Sequence, residues 1–243
     1  MRELPQQGVP AALILVGGLG TRLLPVHSGP KALALVGGEP FLSHLLRWLH
    51  RGGIRRVVLC VGHRSDEVRD FVGDGSSFGL NVAYSVETRP LGTAGALGLA
   101  VTRLPMDQRF FALNGDSLSR VDFAGMLREH LKSGARATIA LAPTDCGGRY
   151  GRVEFDSARR VSGFYEKDPD AHAGFINAGV YLFEREILAG IPADATVSLE
   201  RDVLPGLAGR GLIAYRTGEY FIDIGIPEDL ARAQTELERI SRL

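Results

Sequence analysis

The sequence predicts an α/β fold: a mainly parallel sheet covered by helices on both faces, followed by a smaller mixed β lobe. Three observations carry that prediction. Short β-rich apolar runs alternate with amphipathic stretches through the first half of the 243 residues, which is how parallel strands joined by crossover helices read. The first apolar run ends in the glycine-rich turn Gly17-Gly18-Leu19-Gly20. After Pro143 the pattern changes to short strands joined by turns.

In chain order, Ala11–Val16 is a buried strand leading into the glycine turn. Phe41–Arg51 carries Leu42, Leu45, Leu46 and Leu49 at helical spacing and stops at Gly52-Gly53. Arg56–Val61 is the second strand. Ser65–Val72 is a helix with Ser65 as its candidate N-cap. Asn81–Val86 is a strand, Gly95–Arg103 a helix, Phe110–Leu113 a strand, Phe123–Lys132 a helix and Ala137–Leu141 the fifth strand. Arg152–Phe155, Val161–Tyr165 and Ala178–Phe183 are the strands of the second lobe. Pro227 suits the first turn of a final helix reaching Ile240, with Leu230, Ala233, Leu237 and Ile240 on one face. The expected organisation is a loose tail over residues 1–10 and one domain over 11–243. Within that domain, 11–142 would be a nucleotide-binding half, 143–226 the second lobe and 227–243 the last helix.

Composition removes several function classes. An apolar content of 45% is ample for a core, and a formal net charge of zero gives no global attraction to nucleic acid or to a membrane surface. No apolar stretch is long enough to span a bilayer, and the start of the chain lacks the order of a signal peptide. Two cysteines are too few for a disulfide framework; Cys60 reads as core, and Cys146 has no assigned role. The six histidines form no metal pattern. A cytoplasmic protein is expected.

The segment Gly17-Gly18-Leu19-Gly20-Thr21-Arg22-Leu23, with Pro30-Lys31 behind it, is the most informative. Glycines after a strand bring bare N–H groups against a ligand, and Arg22 and Lys31 add fixed positive charge suited to an oligophosphate. The G-x-x-x-x-G-K-[S/T] loop is absent, and the dinucleotide pattern fails because its third glycine position is Leu23. Only Lys31, Lys132 and Lys167 are lysines among 28 Lys plus Arg, so a site that keeps one uses a compact point charge.

Asp116, within Asn114-Gly115-Asp116-Ser117, lies just past a strand, where an acid either caps the turn or binds a metal. Asp223 lies in the apolar run Tyr220–Pro227, and a buried carboxylate there must be paired or bind a cation. The two acids together could hold one Mg²⁺ with phosphates. Glu166-Lys167 reads equally as a surface ion pair, and Asn177 as turn chemistry.

The order of these motifs is more specific than any one of them. The glycine segment, Pro30-Lys31, Pro90-Leu91-Gly92-Thr93-Ala94, Asn114-Gly115-Asp116, Tyr150-Gly151, Glu166-Lys167, Asn177-Ala178-Gly179 and Asp223-Ile224-Gly225 together resemble the sugar-1-phosphate nucleotidylyltransferases over roughly Ala11 to Gln234. Gly73-Asp74-Gly75-Ser76 and Phe221–Asp229 make the D-glycero-α-D-manno-heptose 1-phosphate guanylyltransferases the nearest branch. The resemblance implies a Rossmann-like α/β/α three-layer sandwich with a sugar-binding lobe. It also implies nucleotide contacts from Leu15, Gly17, Gly18, Gly20, Thr21, Glu87, Gly92, Thr93, Asn114 and Asp116, with Arg22 and Lys31 on the triphosphate. Asp116 and Asp223 would hold Mg²⁺. Lys167 would meet the sugar phosphate as the third catalytic cation, with Tyr150, Gly151, Glu166 and Asn177 around the sugar. Val16 before the glycines, Ala32 after Lys31 and Phe221 depart from the usual pattern, and none of these removes a charged group.

The implied reaction is transfer of a nucleotidyl group, GTP favoured, to a sugar 1-phosphate. Heptose 1-phosphate would give GDP-heptose and pyrophosphate for surface polysaccharide synthesis. GDP-mannose, dTDP-sugar and UDP-sugar synthesis are the alternatives. A nucleotide-sugar-sensing module on the same fold is the non-enzyme alternative, and it should have lost Arg22, Lys31 or a metal acid. A homodimer is compatible with all of these. The chain length leads us to expect neither a C-terminal β-helix with acyltransferase activity nor the extra domains of long guanylyltransferases.

Overall fold

A computed structural model describes residues 8–18, 20–104, 107–144, 151–165, 174–218 and 220–236. In chain order the first half contains β1 (Ala12–Leu15), the short hairpin β2 (Leu35–Val36) and β3 (Glu39–Pro40), α1 (Phe41–Arg51), β4 (Arg56–Val61), α2 (Ser65–Val72), β5 (Asn81–Val86), α3 (Gly92–Arg103), β6 (Arg109–Asn114), β7 (Ser117–Ser119), α4 (Phe123–Ser133) and β8 (Ala137–Thr144). The second half contains β9 (Arg152–Phe155), β10 (Val161–Tyr165), β11 (Gly174–Glu184), α5 (Glu186–Ala189), α6 (Leu204–Leu207), β12 (Leu212–Arg216), β13 (Phe221–Asp223) and α7 (Pro227–Thr235).

The strands β6, β1, β4 and β5 lie side by side in parallel. β11 then adds antiparallel to β6, and β8 adds antiparallel to β11, so β8 runs in the same direction as β1. β12 extends this edge parallel to β8. The expectation of a mainly parallel sheet holds, with β11 and β10 as the reversed strands. Of the second half, β9, β10, β11 and β12 all belong to this sheet, the β9–β10 hairpin joining β11 through the pairing of Ile176 with Arg152. The strand that leaves it is β13, which pairs with β7 in a separate two-stranded ribbon.

Side chains alternate between the two faces of the central strands. Ala12, Ile14, Val57, Leu59, Phe111 and Leu113 pack under α1, α2, α4 and α7, where Phe123 meets Trp48 at 4.8 Å and Phe111 at 5.0 Å between ring centroids. Leu13, Val58, Cys60, Phe110 and Ala112 pack on the other face under α3, α5 and α6. The result is three layers.

Helix ends show where local reading failed. Ser65 is not the cap of α2: Arg64 occupies that position at φ 57°, with no side-chain capping bond. α3 begins at Gly92, three residues earlier than periodicity placed it, because the Val197 carbonyl accepts from the N–H groups of Ala94 (3.0 Å) and Gly95 (3.2 Å). A remote segment thus satisfies first-turn donors that would otherwise be orphaned. α4 starts where Asp122 accepts from the Gly125 N–H at 2.9 Å. In α7, Ala233 is buried and Leu230 partly so, while Leu237 and Ile240 lie outside the described residues.

Candidate active site

A cavity of about 330 Å³ opens beyond the carboxyl ends of β1 and β6, where open α/β sheets bind ligands. Leu15, Gly18, Gly20, Thr21, Arg22, Lys31 and Asp116 line it, joined by Val16, Ala32, Gly115 and Gly225. Gly20 adopts φ 63°, a left-handed conformation that costs glycine little, and it turns the chain into the 3-10 turn Thr21–Leu23. Leu23 is buried and anchors that turn, leaving Arg22 exposed. Pro30 opens a second such turn, Lys31–Leu33, and Lys31 pairs with the Asp116 carboxylate.

Asp223 is 107 residues from Asp116 in sequence, and a short antiparallel ribbon closes that gap. β13 pairs with β7 so that Asp223 stands opposite Ser117, and the Ile224 N–H donates to the Asp116 carbonyl at 2.9 Å. The Ser117 hydroxyl bridges the acids, 3.1 Å from Asp116 Oδ1 and 3.4 Å from Asp223 Oδ2. The Gly225 N–H also donates to Asp223. Burial and the neighbouring Asp116 charge push the Asp223 carboxyl up to about 6, against the pull of Lys31. Two carboxylates held this close, with one lysine between them, form a cation-demanding site. Among the described residues no group of three or more His, Cys, Asp or Glu is placed to hold a metal. Two acids completed by phosphate oxygens nevertheless match the oxygen-rich donor set Mg²⁺ uses. Ser117 had no role in the sequence reading, although it directly follows Asp116.

Glu87 lies on the far side of the glycine turn. Its Oε1 would be 3.1 Å from a Cβ on Gly17 and 2.8 Å from one on Gly62, so the two glycines let the carboxylate lie close to the main chain. Its Oε2 accepts from the Leu91 N–H at 3.1 Å. Burial raises its carboxyl pKa, with the Leu91 bond opposing the shift. Cys60 lies beneath, its thiol pushed up to about 12 by burial and by Glu87, which makes it inert core as expected.

The structure brings other expected residues to different neighbours. The Thr93 hydroxyl donates to Glu200 at 2.8 Å and accepts from the Leu199 N–H at 2.7 Å, tying α3 to the 198–200 segment. Gly92 packs against the Val197 main chain. The Asn114 amide covers Gly179, on whose other side Asn177 Oδ1 accepts from the Gly179 N–H at 3.0 Å. Asn177 Nδ2 donates to the Tyr181 hydroxyl at 2.6 Å, and its main-chain N–H to the Gly151 carbonyl at 2.9 Å. Asn114, Asn177 and Gly151 thus cluster at the start of the β9–β10 hairpin. Tyr150, Glu166 and Lys167 lie outside the described residues.

Comparison with known proteins identifies the family. The chain is 38% identical over 232 residues to a mannose-1-phosphate guanylyltransferase of Mycobacterium tuberculosis, covering 94% of this chain and 64% of that protein. It is 36% identical over 229 residues to a D-glycero-alpha-D-manno-heptose 1-phosphate guanylyltransferase of Aneurinibacillus thermoaerophilus, covering 93% and 98%. The chain therefore spans under two thirds of the first relative's length and nearly all of the second's. The crystal structure of HddC from Yersinia pseudotuberculosis complexed with GMP-PN superposes with a TM-score of 0.82 at 32% identity, covering 94% of this chain and 99% of that one. With residues 11–240 matching the family described as Nucleotidyl transferase, the chain belongs to that family.

Proposed function

We propose that this protein transfers a guanylyl group from GTP to a sugar 1-phosphate, D-glycero-α-D-manno-heptose 1-phosphate being the acceptor we favour. The observation that carries the reading is the convergence of the glycine turn, Arg22, Lys31 and Asp116 on one cavity, with Asp223 joined to Asp116 through the Ser117 hydroxyl. A sugar-phosphate oxygen attacks the α-phosphorus, the bond to the bridging oxygen breaks, and pyrophosphate leaves. The attacking phosphate is already ionised at neutral pH, so the protein needs no general base. Its task is to hold two anions together and neutralise charge on their oxygens. Arg22 and Lys31 serve the triphosphate, and Lys167 serves the sugar phosphate. Asp116 and Asp223 would hold Mg²⁺, which supplies charge neutralisation at the phosphates when bound.

Guanine is supported by Glu87. Its Oε1 is free of a main-chain partner among the described residues, and Oε2 keeps a lone pair beyond the Leu91 bond. A carboxylate accepts from the adjacent N1–H and N2–H of guanine, whereas uracil or thymine would set a carbonyl against it. The relatives named for guanylyl transfer and the GMP-PN complex support the same base. Mannose 1-phosphate is the second acceptor reading, because relatives named for each acceptor match at similar identity. Pyrophosphate release over a panel of NTPs with heptose, mannose and glucose 1-phosphates tests the proposal, with and without Mg²⁺. GTP with a manno-configured acceptor should give the highest kcat/KM, and a preference for UTP or dTTP would overturn it. In the same assay Lys167→Ala should raise the KM for the sugar phosphate and leave that for GTP nearly unchanged.

A further inference from the structure

Two non-glycine residues adopt positive φ among the described residues, Arg64 at 57° and Arg159 at 62°. Side chains with a Cβ rarely adopt this region, and they keep it only where surrounding contacts fix them. Arg64 stands at the cap position of α2, but its side chain makes no capping bond. It turns instead toward the glycine-turn region. Nε and Nη2 fork onto the Glu67 carboxylate, with Nη2 2.9 Å from Oε2, while Nη1 donates to the Ser28 carbonyl.

Ser28 lies in the middle of the segment between Arg22 and Lys31. That segment is tied internally at its start by the Val26 and His27 N–H groups on the Leu23 carbonyl, at 2.9 and 2.8 Å, and at its end by the His27 ring against the Pro30 carbonyl at 2.9 Å. The Glu67 carboxylate lies over Gly29, 3.9 Å from where a Cβ would stand. Pro30 then leads directly into the turn that carries Lys31. Two residues before Arg64, Gly62 faces Glu87 Oε1 and the Gly17 carbonyl. The corner at residues 62–64 therefore touches both the base-side carboxylate and the chain that presents the phosphate-binding cations.

We propose that Arg64, held by Glu67, is a positioning residue that pins the His27–Pro30 segment and thereby sets Lys31 and Arg22 around the triphosphate. This rests on the nucleotidyl-transfer reading above. The role needs a planar fork with one edge on a carboxylate and a further N–H on a carbonyl, which a lysine ammonium cannot reproduce. The left-handed backbone at Arg64 is what directs the guanidinium to both partners.

The test uses Arg64→Gly, which removes the clamp and the backbone strain together, alongside Arg64→Lys. Three quantities are measured on the full chain: Tm, calorimetric affinity for a non-hydrolysable GTP analogue, and steady-state pyrophosphate release. Arg64→Gly should keep or raise Tm while the analogue Kd and the GTP KM weaken about tenfold, since small misplacements of binding groups are costly. The sugar-phosphate KM should stay near the wild-type value, and Arg64→Lys should fall between wild type and Arg64→Gly. In a Lys31→Ala background the Arg64→Gly change should cost less than it does in wild type, because part of its effect runs through Lys31. Wild-type Kd and KM in Arg64→Gly would overturn the proposal. So would a Tm that falls in step with affinity, which would make the role purely structural. Failure of the underlying reading looks different: a wild-type protein that releases no pyrophosphate from any NTP and sugar phosphate pair.

Discussion

At the amino-terminal edge of the central strands, Arg109 Nε donates to Glu184 at 2.8 Å, and His130 Nε2 lies 3.2 Å from the same carboxylate oxygen. His130 Nδ1 is 2.8 Å from the Thr138 hydroxyl, and Arg56 pairs with Asp107. Each of these charges has an opposite partner on the chain. At the carboxyl edge, Asp116 and Asp223 share one lysine, Arg22 has no ion-pair partner among the described residues, and the Asp223 carboxyl is raised to about 6. Both ends place charge around strand termini. Only the carboxyl edge leaves charges without a close partner among the described residues, as a surface does when their partners belong to a ligand.

The sharpest way to break this comparison is to remove the cations. Lys31→Ala and Arg22→Ala should each lower kcat/KM by about 10²- to 10³-fold if they act on developing phosphate charge. Circular dichroism and Tm should show the fold intact, since Arg22 is exposed and Lys31 bonds only within the site. Near-normal turnover in either variant would remove the triphosphate assignment.

The Asp223 carboxylate offers the next largest effect, with opposite signs for activity and stability. Its carboxyl binds a proton more tightly in the folded chain, at about 6, than at the ordinary 3.8. Stability from that group is therefore full below about pH 3.8 and lost as pH rises through about 6. Asp223→Asn should raise the metal-free stability at pH 7.5 by about 1–3 kcal/mol, a shift of one unit being worth about 1.4. The gain should vanish below pH 4, and turnover should collapse. Chemical denaturation at pH 7.5 and pH 4 in chelator checks the sign; a variant less stable at pH 7.5 would refute it.

The amino-terminal edge should respond in the reverse way. Glu184→Ala leaves the buried His130 and Arg109 without their shared acceptor, at a cost of about 1–3 kcal/mol, with turnover unchanged. Burial holds the His130 pKa below 6.5, and Glu184 opposes that shift. A depressed histidine contributes stability above about pH 6.5 that is lost as pH falls through its folded value. Without Glu184 the depression deepens, so the variant should be more acid-sensitive than wild type in denaturant titrations from pH 8 to pH 5. A matching loss of turnover at pH 8 would mean that the two edges are coupled.

Much of this contrast was legible in the sequence, and the reasons differ by residue. α1, α2, β4, β5, β9 and β10 match the ranges read from period and propensity, because the helices bury one spaced face and β4 is a continuous buried apolar run. The carboxylates at Asp116 and Asp223 were visible as acids set in apolar strand ends. What escaped was everything decided by remote chain. The β7–β13 ribbon that closes the acid pair is too short to show periodicity. The first turn of α3 depends on the Val197 carbonyl, and the β2–β3 hairpin offers two residues a side. Arg64 has no part in the sequence reading, since neither its backbone angle nor its reach to Ser28 has a local sequence signal. Thr93 read as a ligand contact within its motif, whereas its hydroxyl is engaged by Glu200 and Leu199.

The smallest effect is expected at Glu87, which the proposed function sets against the base. Burial raises this carboxyl, and the Leu91 N–H restrains the rise. In Glu87→Gln the amide oxygen can keep the Leu91 bond, which turns the amide NH₂ toward Gly17 and Gly62, where Oε1 now lies. Donors would then face the N1–H and N2–H donors of guanine, while uracil would gain a partner for its carbonyl. The ratio of kcat/KM for GTP over UTP should fall at least about tenfold, or ~1.4 kcal/mol, with the maximal rate on the better nucleotide little changed. The variant should also lose any pH dependence of that ratio due to Glu87, because an amide does not titrate. An unchanged GTP to UTP ratio would show that the base is read elsewhere along the cavity, and Glu87 would then be a main-chain anchor for Leu91.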